Sequence, residues 1–83
     1  MKLAELKAKL LWEEFPSFAY SLEGEQTKQT DNCYILTKKG NIWTIEFIER
    51  GVRDELSRWN TEEAACSEFY RMLMSEVKPQ LKV

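Results

Sequence analysis

Histidine is missing from this 83-residue chain. With it go the commonest general base and the commonest metal ligand. Cys33 and Cys66 stand far apart, and two thiolates without imidazoles are too few for a zinc site. They are expected to be reduced thiols that pack as small apolar side chains, with neither a catalytic nor a disulfide role. Gly24, Gly40 and Gly51 are isolated, so no glycine-rich loop can cradle a phosphate. A Gly-x-Ser-x-Gly elbow is also missing. Apolar runs are all short of a membrane span. The start, Met1-Lys2-Leu3-Ala4-Glu5-Leu6-Lys7, puts charges where a secretory signal would be oily, so the expected location is the cytoplasm. Nor is there an excess of positive charge: the net charge is -2 and the pI about 5.2, which leaves no electrostatic footprint for nucleic acid.

What remains is globular in composition, with 43% hydrophobic and 31% charged residues in a chain short enough for one domain, 1–83. The most informative stretch follows Gly40. In Ile42 to Glu49, Trp43, Ile45 and Phe47 alternate with Thr44, Glu46 and Ile48, the period of a strand with one oily face. Arg50-Gly51 is a turn, and the polar run Val52 to Trp59 reads as an edge strand whose charges discourage unwanted pairing. Asn60 is expected to cap a helix over 61–77, with Glu63 three residues later returning the hydrogen bond and Thr61 as the rival cap; Glu62 and Glu63 suit the positive first turn. Ala65, Phe69, Met72 and Leu73 form its stripe, flanked by Cys66, Tyr70 and Val77, and Pro79 lies just beyond.

Upstream, Leu3, Leu6 and Leu10, widened by Ala4 and Leu11, predict a helix over 2–14 that Pro16 limits. Trp12 falls nearly opposite that leucine stripe. Two roles suit it: tipping onto a neighbouring strand as core, which is the expectation, or standing exposed as an anchor for a partner. Phe18, Tyr20 and Leu22 alternate as a first strand over 18–23. The polar stretch Gly24 to Asn32 is a surface loop, long for a hairpin. Cys33 to Thr37 is a second strand, and Lys38 to Asn41 a turn. The expected fold is therefore α+β: a four-stranded antiparallel meander with N- and C-terminal helices packed on one face, against Trp43, Ile45 and Phe47. The opposite face is expected to be open to water or a partner, and the tail 78–83 to fray.

Carboxylates are the remaining chemistry. Pairs such as Glu13-Glu14 and Asp54-Glu55 could in principle serve a glycosidase, but solvated surface is the ordinary role of such pairs. The chain is thus expected not to be an enzyme and to need no metal or cofactor. Glu23, Glu25 and Asp31, in or beside the long loop, and Glu46, Glu49, Asp54 and Glu55, on the last hairpin, would form an acidic surface for a basic partner if they converge. The alternative is an ordinary mixed surface, since Lys28, Lys38, Lys39, Arg50, Arg53 and Arg58 are interspersed.

Trp43-Thr44-Ile45-Glu46-Phe47, then Glu49-Arg50-Gly51, then Trp59-Asn60-Thr61-Glu62-Glu63-Ala64-Ala65-Cys66 and Phe69 resemble a pattern in small immunity proteins of bacterial polymorphic-toxin and contact-dependent growth-inhibition systems. The resemblance implies a cytoplasmic protein that binds and neutralises the C-terminal domain of a cognate toxin, in many cases a nuclease. It covers about a third of the chain and transfers fold-bearing residues rather than contact residues. A non-catalytic adaptor or regulatory module is the alternative. A nucleic-acid module stacking bases on Tyr20 and Tyr34 comes third, set low by the acidic pI.

Overall fold

The computed structural model describes residues 1–25 and 31–77; the fraying expected for 78–83 and the middle of the expected loop lie outside them. Helix α1 (Leu3–Trp12) is followed by a 3-10 turn (Ser17–Ala19) and a two-residue strand β1 (Tyr20–Ser21). Then come β2 (Cys33–Lys39), β3 (Ile42–Glu49), β4 (Val52–Trp59) and helix α2 (Glu62–Glu76). The sheet order is β1-β2-β3-β4, so the chain is α+β as its periodicities predict.

One pair departs from the meander. β1 runs parallel to β2, Tyr20 beside Tyr34 and Ser21 beside Ile35, whereas β2-β3 and β3-β4 are antiparallel. The connection over 22–32 is too long for a tight hairpin, and its length is what a parallel neighbour requires. The expected strand over 18–23 shrinks because Pro16 leads into the 3-10 turn, whose Ala19 N–H bonds back to Pro16 O at 3.0 Å.

The hairpin turns follow their residues. At Gly40-Asn41 only the first central residue has positive φ (63°), the II′ pattern with glycine where it is required. At Arg50-Gly51 both do (53° and 79°), which is the I′ pattern with an arginine in a slot that asparagine or glycine fills more easily. Between Ile45 and Glu46 the β3-β4 register shifts, leaving Leu56 as the extra residue of a bulge.

Helix α2 lies across β2, β3 and β4, and α1 lies beside α2. Leu6 and Leu10 from α1, Leu36, Trp43 and Ile45 from the sheet, and Ala65, Cys66, Phe69 and Leu73 from α2 form one buried cluster. The helices therefore share one face. Trp43, Ile45, Ala65, Phe69 and Leu73 are buried as their patterns predict, whereas Phe47, near the end of its strand, and Met72 are half-buried. The opposite face is not the open surface expected of it. Cys33, Ile35 and Ile48 form a second buried cluster there, and Thr44 and Glu46 are buried beside it.

The helices run side by side in the same direction. Glu62 of α2 accepts the Leu3 N–H at 2.7 Å near one end, and Tyr70 donates its hydroxyl to Glu13 at 2.5 Å further along. The start of β2 and the β3-β4 turn lie at one end of the sheet, where Asp31 accepts the Arg50 N–H. Among the described residues no helix is long and apolar enough to cross a membrane.

Candidate functional site

Most of the carboxylates singled out in the sequence are occupied in holding the fold. Glu23 accepts the Thr37 hydroxyl and the Lys38 N–H, both at 2.7 Å, and so ties the segment after β1 to the far end of β2. Glu25 accepts the Leu22 N–H at 3.0 Å and pairs with Lys7 at 3.2 Å. Asp31 accepts the Arg50 N–H at 3.1 Å, at the opposite end of the sheet from Glu23. Glu55 pairs with Arg58 at 2.6 Å. These residues do not converge on one acidic surface. A cleft of about 340 Å³ between residues 22–25 and β2 is lined by Ser21, Glu23, Thr37 and Arg53, but its carboxylate already serves Thr37 and Lys38.

Glu46 is the largest departure from expectation. It points away from Trp43, as the alternation predicts, yet is only 3% exposed. Lys39 reaches across Thr44 to its Oε2 at 2.7 Å, and Arg53 Nε stands 3.6 Å from Oε1, which has no hydrogen-bond donor. Two half-exposed cations thus roof a buried carboxylate, and Glu46 is held inside the fold by its pairing.

Glu49 and Asp54 remain available. Both are exposed, and neither forms an ion pair or side-chain hydrogen bond among the described residues. The register puts Asp54 opposite Phe47, Phe47 opposite Tyr34, and Tyr34 opposite Tyr20, one row across all four strands on the helix side. Tyr34 and Phe47 are in ring contact, with centroids 4.6 Å apart. Glu49 and the exposed Val52 face each other in the next row. Burial, reinforced by Glu76 at the end of α2, raises the Tyr34 pKa above its ordinary value, so that phenol stays neutral. The outer end of this sheet face is therefore aromatic and acidic.

Trp12 is 79% exposed, which overturns the expectation that it packs as core. The physical reason lies in how α1 ends. Glu14 adopts a left-handed φ of 57°, its N–H bonds to Leu11 O at 3.2 Å, and the Phe15 N–H bonds to Leu10 O at 3.1 Å. This is a Schellman motif, and its hydrophobic partner is Phe15, which is buried in place of Trp12. Phe15 packs edge-on against Tyr70. Leu11 (62%) and Phe18 (61%) are exposed on either side of this turn in the sequence. The sequence carried a signal for this that the leucine stripe masked: Trp12 falls off that stripe, whereas Phe15 follows Leu11 at helical spacing and directly precedes a proline.

Neither cysteine forms a disulfide and both are buried. Burial, and next the charge of Glu62, pushes the Cys66 thiol up to about 11. Among the described residues no cluster of His, Cys, Asp or Glu could hold a metal ion. Comparison of the chain with protein-family models, curated proteins and solved structures gives no match.

Proposed function

We propose that this protein is a cytoplasmic immunity protein that binds the C-terminal domain of a cognate bacterial toxin stoichiometrically and blocks it. The observation that carries the reading is that Trp12, Leu11, Phe18 and Val52 are left exposed, and that Glu49 and Asp54 are exposed and unpaired among the described residues. Large apolar side chains and unpaired charges left in water are what a protein interface uses: an aromatic anchor to be desolvated and a rim to steer the encounter. The net charge of -2 and pI of about 5.2 favour a basic partner, such as a nuclease with a cationic substrate cleft. The resemblance over Trp43 to Phe69 supports the immunity role in particular.

The test is titration of a purified candidate toxin domain drawn from the gene's neighbourhood. Its activity should fall linearly to zero at an equimolar ratio. Reversing Glu49 and Asp54 together to lysine should slow association at low salt while the far-UV circular dichroism stays unchanged. A toxin that remains fully active in an excess of folded wild-type protein removes the immunity reading, and the adaptor function takes its place.

A further inference from the structure

The C-terminal turn of α1 breaks two local preferences at once. Glu14 occupies the left-handed slot that glycine fills best in a Schellman motif, with φ at 57°. A β-carbon there is strained, and the Glu14 carboxylate returns nothing to the fold: it is exposed and makes no ion pair or hydrogen bond among the described residues. Directly before it, Leu11 and Trp12 spend their apolar surface on water. By contrast Glu13, between Trp12 and Glu14, is fully engaged, accepting from Tyr70 at 2.5 Å and pairing with Lys9 at 3.1 Å. Side chains that cost the free protein stability mark a place where something other than folding sets the residue.

We infer that this turn is a docking site for a basic amphipathic segment of another protein, with Trp12, Leu11 and Phe18 as its apolar floor and Glu14 as the counter-ion for a lysine or arginine. Charge complementarity selects that occupant. The Glu14 carboxylate, unpaired among the described residues, and the negative end of the α1 dipole fall within one turn of Trp12, and Lys9, the basic residue in the last turn of α1, is already bound to Glu13. An apolar segment carrying a cation would cover the indole and place its charge at the helix end. The inference rests on the protein-binding reading but not on the partner's being a toxin.

The probe is a short amphipathic helical peptide of leucine and lysine, with a leucine and glutamate peptide as its counterpart, followed by amide chemical shifts and Trp12 emission. The lysine peptide should shift the resonances of residues 11–18 and move Trp12 emission to the blue. Trp12→Ala should weaken it by roughly tenfold or more. Glu14→Gly should weaken it about two- to fivefold at low salt while raising the melting temperature, since it relieves the left-handed strain. A purely structural Glu14 would give the rise in melting temperature with unchanged peptide affinity, and that result overturns the assignment. So does equal binding of the glutamate peptide. Self-association lost in Trp12→Ala would make a second copy the occupant and overturn the basic-segment proposal. Failure to neutralise a toxin, with peptide binding intact, would remove the immunity reading and leave this site standing.

Discussion

The two helices of this protein are built by different rules. Helix α2 is self-sufficient: the Thr61 hydroxyl accepts the Ala64 N–H at 3.1 Å, Glu62 and Glu63 sit in its positive first turn, and Ala65, Cys66, Phe69 and Leu73 form a buried stripe. Helix α1 has no side-chain cap of its own and borrows one from Glu62 of α2. It ends in a strained glutamate and leaves two of its largest side chains in water. A helix that obeys local preference throughout is serving the core. One that departs from it at a single end, while remaining buried at Leu6 and Leu10, has that end free for another purpose.

The sharpest way to break the comparison is in the core beneath α2. Phe69 is fully buried and joins α2 to Leu36 and Ile45 of the sheet and to Leu6 and Leu10 of α1. Phe69→Ala should cost about 3–5 kcal/mol, as large-to-small changes in closed cores do. A urea midpoint equal to that of the wild type would show that α2 is not the keystone. Trp12→Ala, an aromatic lost from α1, should leave the same midpoint within about 0.5 kcal/mol of stability, the range of exposed positions.

That asymmetry was only partly legible in the sequence. Alternation in β3 and the start of α2 depend on neighbours a few residues away; the strand appears as read and the helix begins where expected, with the rival Thr61 rather than Asn60 as its cap. The direction of β1 depends on which edge of the sheet the chain returns to, and Phe18-Tyr20-Leu22 alternate whichever way they pair. Glu46 was read correctly for direction and not for burial, because Lys39 and Arg53 cover it from other strands. Glu23, Glu25 and Asp31 look like free acidic surface until the fold brings them to the backbone N–H groups of Lys38, Leu22 and Arg50. Trp12 was misplaced because a helical wheel ends nowhere, whereas the helix ends at Trp12 and turns Phe15 inward.

A middle-sized effect probes the clasp between the helices. Tyr70 donates to Glu13, which also pairs with Lys9, and the Lys9 ammonium lies 5.0 Å from the centre of the Tyr70 ring. The Tyr70 hydrogen bond, and after it Lys9, holds the Glu13 pKa below the ordinary carboxylate value. A depressed folded-state pKa means that the stabilisation is complete above the unfolded value, about 4.3, and fades as pH falls through the lower folded value. Tyr70→Phe should cost about 1–2 kcal/mol at neutral pH, as hydrogen bonds to charged groups do. The loss should shrink in acid, read as converging urea midpoints at pH 7 and near pH 3. Midpoints that stay equally far apart at both pH values would assign the loss to packing against Phe15 rather than to the carboxylate.

The smallest effect separates a helix that caps itself from one that borrows its cap. Thr61→Ala removes the acceptor for the Ala64 N–H and should cost about 1 kcal/mol, with faster amide exchange confined to the first turn of α2. Glu62→Ala removes a favourable charge from that same turn, worth about 0.3–1 kcal/mol. It also takes away the only side-chain acceptor that the Leu3 N–H has among the described residues, 59 residues away in sequence. An unmet N–H at a helix start frays the turn it opens. Glu62→Ala should therefore quicken exchange in the first turn of α1, a helix it does not belong to, while Thr61→Ala leaves α1 unchanged. If both substitutions loosen only α2, then α1 is held at its start by the burial of Leu6 and Leu10 alone. The contrast between the two helices would then lie at their C-terminal ends, where Glu14 and Trp12 stand.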